Sequence, residues 1–199
     1  MATIPGLRER KKLRTSSTIG QVTLDLVVER GFDAVRVDDI CEVAEVSRST
    51  FFRYFDSKEA GYVAGLHEGR LDAIVAAVRA RPATEGPLDA LMNGHLDDAK
   101  GWRSRRDLIV LDAAIRAASP AVQARASSEH LRWELAMAAA VEDRIRPSAS
   151  RDVTARVVAS AVLCAVRIAT DQWLADGARR SPVAFYRRVF STLDKVVVA

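Results

Sequence analysis

Apolar positions recur every three to four residues along almost the whole chain, and no segment alternates with the period of two that a half-buried strand requires. The pattern is densest between Phe32 and Glu59. Val37, Ile40, Cys41 and Ala44 follow the i, i+3, i+4, i+7 spacing and predict one apolar face on a short helix. Val46 falls in a turn, and Ser47 suits the N-cap of a second helix, because its hydroxyl can accept a hydrogen bond from a free backbone N–H. Phe51 and Phe55 then share one face, leaving Arg48, Ser49, Thr50, Phe52, Arg53 and Tyr54 for the rest. Asp56 and Glu59 have the spacing of a capping box and open a further helix with Lys58 in its first turn.

Elsewhere the same period predicts a first helix over 15–30, with Ile19, Val22, Leu26 and Val27 as its stripe and Gly31 at its end. A fourth helix is expected over 58–80, stopped by Pro82. It carries Gly61, Gly65 and Gly69, four apart. Each glycine costs a helix about 1 kcal/mol against alanine, so either close packing or a need to bend is expected there. Further helices are expected over 87–99, 105–117, 120–144, 150–176 and 182–197, with Ser-Pro signals at 119–120 and 181–182. The expectation is an all-α chain of nine helices: a three-helix N-terminal domain over 1–57 with its arm, and six helices over 58–199.

A short helix that buries two Phe and exposes hydroxyls, arginines and aromatics suits a DNA major groove. The segment resembles the TetR family of one-component transcriptional regulators. The resemblance rests on Gly31-Phe32-Asp33, Val37-Asp38-Asp39-Ile40, Val46-Ser47, Thr50-Phe51-Phe52-Arg53-Tyr54-Phe55 and Ser57-Lys58-Glu59, along about 45 residues. Glu45 stands where the family usually has Gly, Arg36 where a Ser or Thr cap is usual, and Ser49 where Gly is frequent. Carried over position by position, the resemblance implies that Thr50, Phe52 and Arg53 face base edges or sugar. Ser47, Tyr54 and Lys58 would hold phosphates, Arg48 and Ser49 would reach base or phosphate, and Arg36 would gain a phosphate contact in place of a cap. Cys41, Phe51 and Phe55 read as core.

The charge pattern qualifies this picture. The net charge is +4, and the pI near 9.4 is compatible with DNA binding. Yet residues 1–60 hold ten Lys/Arg and ten Asp/Glu, so the head is formally neutral. Its positive charge is concentrated: Arg8, Arg10, Lys11, Lys12 and Arg14 stand together against Glu9. They predict a basic arm on phosphate, while Asp25, Glu29 and Asp33 face away. No apolar run follows the arm, so it is not read as a signal peptide. The longest uncharged apolar run, 157–166, ends at Arg167 and is too short for a bilayer. Cys41 and Cys164 lack disulfide or zinc spacing, so a cytoplasmic chain without metal or cofactor is expected.

Enzyme signatures (P-loop, G-x-S-x-G, H-E-x-x-H) are missing, and His67, His95 and His130 sit on different expected helices, so no enzyme is expected. In the second domain the family implies a pocket for a small-molecule effector. Leu91, His95, Leu111, Ile115, Trp133, Met137 and Cys164 are its candidate lining, with core packing the alternative for each. Ala161, Ala165 and Ala169 form a small-residue stripe; Tyr186, Val189, Phe190, Leu193 and Val197 form a bulky one. The resemblance implies that these two helices pair between copies in a homodimer. The reading is a repressor on a palindromic double-stranded operator; the alternative is a ligand-binding helical dimer with a vestigial DNA head.

Overall fold

The structure, a computed structural model, describes residues 6–198; the side chains of Leu7, Glu9, Arg103, Val197 and Val198 lie outside that description, and with them the expected place of Val197 on the last apolar stripe. The described residues form ten α-helices and no strand. They are α1 (Leu7–Arg30), α2 (Val37–Val43), α3 (Arg48–Tyr54), α4 (Lys58–His67), α5 (Arg70–Arg79), α6 (Pro87–Lys100), α7 (Arg106–Ala118), α8 (Pro120–Val141), α9 (Arg151–Ala175) and α10 (Pro182–Val198). Short 3-10 segments, Gly101–Arg105 and Glu142–Arg144, follow α6 and α8. The chain divides into two compact units: Met1–Gly69 with Ala113–Ser127, and Arg70–Asp112 with Ser128–Ala199.

In the first unit α1 packs along α4. Ile19, Leu26 and Val27 are buried as their spacing predicts, and Thr23 is fully buried, its hydroxyl donating to the Ile19 carbonyl at 2.7 Å. Gly31 ends α1 at φ +83, its N–H donating to the Val27 carbonyl. The helix starts at Leu7 rather than near residue 15: Arg, Lys, Leu and Glu are good helix formers, and nothing between Gly6 and Ile19 breaks the helix. The expected basic arm is therefore the first two turns of α1.

The expected 58–80 helix is two helices. Gly69 at φ +66 and Glu68 at ψ 124 interrupt it, giving ten helices where nine were expected. Of the three spaced glycines, Gly61 and Gly65 are buried in α4 and only Gly69 provides the bend. The cap of α4 is Ser57, which accepts from the Ala60 N–H at 3.3 Å; the expected Asp56 cap is instead paired with Arg125.

In the second unit α5, α6, the second half of α8, α9 and α10 surround one apolar core. Trp102 meets Trp173 and Tyr186 edge to face at 5.6 and 5.5 Å, and Tyr186 meets Phe190 at 5.6 Å, each pair adding roughly 1 kcal/mol beyond its area. The Arg144 guanidinium donates to the carbonyls of Val78, Arg81, Pro82 and Glu85, satisfying the end of α5 where a cation is favoured. α9 is long and apolar enough to cross a membrane, since such a span tolerates Arg167. Its Ala155, Ala159, Val162, Leu163, Ala165, Ala169 and Trp173 are nevertheless buried in the unit, as in a core helix.

Candidate nucleic-acid interface

The helix-turn-helix forms from its apolar positions. Ile40 and Cys41 of α2 and Phe51 of α3 are buried, with Phe55 just beyond. Burial pushes the Cys41 thiol pKa up, consistent with a core role. In the turn Ala44 stays helical and Glu45 takes φ +54, while the Val46 N–H donates to the Cys41 carbonyl at 3.0 Å. Glu45 thus adopts the left-handed conformation that glycine favours, at a cost of about 1 kcal/mol, and the turn keeps its course. Ser47 caps α3, accepting from the Thr50 N–H at 3.1 Å. Arg36 occupies the cap position of α2 but offers no side-chain acceptor; Asp39 accepts from the Arg36 N–H at 2.7 Å instead.

Buried Phe51 orients α3 so that Arg48, Ser49, Phe52 and Arg53 are exposed, with Thr50 and Tyr54 half-buried. Phe52 is 47% exposed, a large apolar side chain held edge-on against Phe51 at 5.3 Å. The Ser47 hydroxyl lies 2.9 Å from that of Ser49 and donates to Thr50 Oγ1 at 3.0 Å, forming a polar cluster at the start of the helix. Arg48 is paired with Asp38 of α2 and stacks over Phe52, so it already has a partner within the motif. Arg53 lies over the Tyr54 ring at 5.2 Å, and among the described residues no carboxylate pairs with it. Lys58 donates to the carbonyls of Phe32 at 2.8 Å and Val35 at 3.1 Å, its ammonium 4.4 Å from the Phe32 ring centre. Two of its three ammonium hydrogens therefore tie α4 to the α1–α2 loop.

Sequence reasoning left the basic arm unplaced. Arg10, Lys11, Arg14, Thr15 and Thr18 of α1 line one side of a groove of about 610 Å³, and Ala44 and Val46 of the motif's turn line the other. The three cations are exposed. Asp25 lies 11 to 15 residues further along the same helix, roughly 16–22 Å at 1.5 Å per residue. That is about two screening lengths at physiological salt, so Asp25 does not offset the groove cations, and the three of them outnumber Glu45, exposed in the turn between Ala44 and Val46.

The second unit brings some of the expected lining together. Leu91, Trp133 and Met137 share its buried core, and His95, 3% exposed, follows Leu91 by one turn on α6. Leu111 is half-buried, and Ile115 is buried but belongs to the first unit. Cys164 is exposed, contrary to expectation, because it lies opposite the buried face of α9; its Sγ is 3.8 Å from Arg167 Nη2. Of the expected dimer stripes, Ala165, Ala169, Tyr186 and Phe190 are buried within the chain, where α9 packs on α10, while Ala161, Val189 and Leu193 are half-buried. Sequence reasoning missed an ionic cluster in this unit. Asp98 accepts from Arg70 at 3.1 Å, from Arg105 at 2.8 Å and from the Trp102 indole at 2.7 Å. The visible signal was the polar series His95, Asp98, Trp102 and Arg105 along α6 and its 3-10 extension.

Residues 19–60 match the family model for bacterial regulatory proteins of the tetR family, and residues 88–197 match the MftR C-terminal domain. The chain is 42% identical over 88 residues to the HTH-type transcriptional regulator TcmR of Streptomyces glaucescens, a match spanning 44% of this chain and 38% of TcmR. It is 29% identical over 174 residues to MftR of Mycobacterium tuberculosis, covering 84% of this chain and 83% of that protein. A TetR-family regulator structure from Syntrophomonas wolfei shares the fold, with a TM-score of 0.63, 16% identity and coverage of 94% and 96% of the two chains. With its head matched over 19–60 and more than half of its length matched over 88–197, the chain belongs to the TetR family of bacterial regulatory proteins.

Proposed function

We infer that the chain is a transcriptional repressor that binds a palindromic DNA operator as a homodimer and is released by a small-molecule effector held in its second unit. The observation that carries this reading is the exposed face of α3 beside the basic groove of α1. In this role Arg53, paired with no carboxylate among the described residues, donates to a guanine edge, and exposed Phe52 contacts a thymine methyl. Thr50 and Ser49 reach base or sugar. Arg10, Lys11, Arg14, Arg36, Ser47 and Tyr54 hold phosphates, with Arg48 and Lys58 adding to them. A formed turn at Glu45 and a segregated basic groove support a working head over a vestigial one.

The same reading requires two heads at a fixed spacing. The apolar side chains left exposed on α9 are Val153, Val157 and Ile168, with Cys164 between them, and on α10 Val196. Those of α9 share one side of the helix, opposite its buried alanines, with the exposed Arg167–Asp171 pair among them, and offer a second copy a largely apolar surface. An effector that binds one arrangement of the dimer better than another shifts the population that fits the operator.

Fluorescence anisotropy on the DNA upstream of the gene, against scrambled DNA over a series of salt concentrations, tests the reading. The three groove cations per head, six in a pair, alone predict a slope of log affinity against log salt of about −5, and the further cations on α2, α3 and α4 make it steeper. Flat salt dependence with no sequence preference would remove the regulator reading.

A further inference from the structure

We propose that the effector is a hydroxylated carboxylate with an apolar body, its hydroxyl donating to His95 Nε2 and its carboxylate accepting from Arg70 Nε–H. The proposal rests on the regulator reading and names the ligand class of that protein. Both atoms are buried, and among the described residues neither has a hydrogen-bond partner.

The chemistry of each atom is determined by its surroundings. His95 Nδ1 lies 2.9 Å from the Leu91 carbonyl. A carbonyl can only accept, so Nδ1 carries the proton. Burial pushes the His95 pKa down, so the ring is neutral and Nε2 presents a bare lone pair to the interior. That atom requires a donor from a ligand. Arg70 Nε–H is the complement, a donor without an acceptor.

Charge selects an anion. Asp98 receives both guanidinium groups and the Trp102 indole, so two cations face one carboxylate. Arg70 is 24% and Asp98 14% exposed. Asp98 is shared between the two guanidinium groups, and the Arg70 Nε–H is left for a further anionic acceptor, the part that a ligand carboxylate takes. An anion alone would set its own lone pairs against Nε2, so the hydroxyl is the part of the ligand that His95 requires. The apolar body suits Leu91, Trp133 and Met137 in the same core, and Trp133 and Trp102 already flank the Arg70 guanidinium at 5.5 and 5.2 Å. Arg70 is the first residue of α5, next to Gly69, so a ligand on it acts where the helix is interrupted.

The test titrates the full chain with 2-, 3- and 4-hydroxybenzoate and with benzoate, by calorimetry and by nitrogen NMR of labelled histidine. At least one hydroxybenzoate should bind ten times more tightly than benzoate, and His95→Phe should abolish that preference. In the unaltered protein the His95 Nε2 resonance should move with that hydroxybenzoate and not with benzoate, which keeps the test valid if the variant fails to fold; His67 and His130 serve as internal references. No binding, equal binding of all four acids, or an unmoved Nε2 resonance would overturn the proposal. DNA release is measured separately by anisotropy: failure to bind DNA at all counts against the regulator reading, whereas binding at His95 without release keeps the ligand site and removes its effector role.

Discussion

Gly20 and Gly65 meet backbone to backbone where α1 crosses α4: a Cβ built on Gly65 would lie 2.1 Å from the Gly20 carbonyl oxygen and 2.7 Å from its carbon. A backbone atom cannot rotate aside, so Gly65→Ala forces the helices apart. Overpacking of this kind costs about 3 kcal/mol, of which the better helix propensity of alanine returns about 1. A Cβ on Gly61 meets the Thr23 hydroxyl at 3.0 Å, a milder contact. Urea unfolding should therefore show Gly65→Ala destabilised by roughly 2 kcal/mol and Gly61→Ala by well under half of that. Equal effects would mean that the two glycines do not differ as the packing says.

Arg53 and Lys58 are both basic residues of the motif, but their surroundings differ. Arg53→Ala removes an exposed guanidinium that has no carboxylate partner among the described residues, so folding should be unaffected while discrimination between operator and random DNA falls by about 1–3 kcal/mol. Lys58→Ala leaves the Phe32 and Val35 carbonyls without their donor, so the melting temperature should drop and all DNA affinities should weaken together. A Lys58→Ala protein with an unchanged melting temperature would remove the structural role assigned to the ammonium.

On α9, Val157 is 62% exposed and Ala165 is 4% exposed. If the exposed side joins two copies, Val157→Glu should give a folded monomer by light scattering, with operator affinity lost along with the second head. Ala165→Glu should instead lower the folded fraction, because it places a charge in the α9–α10 packing. A Val157→Glu protein that remains dimeric would shift the interface to another surface.

Asp98 links stability to pH. Burial alone would raise its pKa, but the Arg70 charge and the hydrogen bonds from Trp102 and Arg105 outweigh burial and hold the carboxyl below its usual range. An unfolded Asp titrates near 3.9, so the stability Asp98 contributes is complete above about pH 4 and is lost as pH falls through the lower folded value. Asp98→Asn should be less stable than the parent at pH 6, with the gap closing as pH drops below about 4. All three tryptophans, Trp102, Trp133 and Trp173, lie in the second unit, so their fluorescence reports this transition. A gap constant with pH would show that Asp98 does not titrate with folding.

The sequence alone determined the helical character and the motif. Ile40, Cys41, Phe51 and Phe55 are buried because a helical period leaves an apolar stripe one place to go, and Ser47 caps α3 because its hydroxyl satisfies a local donor. Relations between residues near in sequence are legible in this way. Helix ends were less so. The break at Gly69 looked like continuous helix because Gly61, Gly65 and Gly69 share a spacing, and only packing separates two contact glycines from one at φ +66.

Tertiary structure decided what depends on residues far apart. Periodicity marks a face as apolar without saying what covers it, so Ala165, Ala169, Tyr186 and Phe190 are packed within one chain while Val153, Val157 and Ile168 remain exposed. The same applies to charge. Lys58 is engaged by carbonyls 23 and 26 residues away, Asp98 gains Arg70 from 28 residues upstream, and the arm of α1 lies beside the motif's turn to make the groove. Composition records which charges a chain carries, but whether a given cation is free for a ligand is determined by which partners the fold brings within hydrogen-bonding distance.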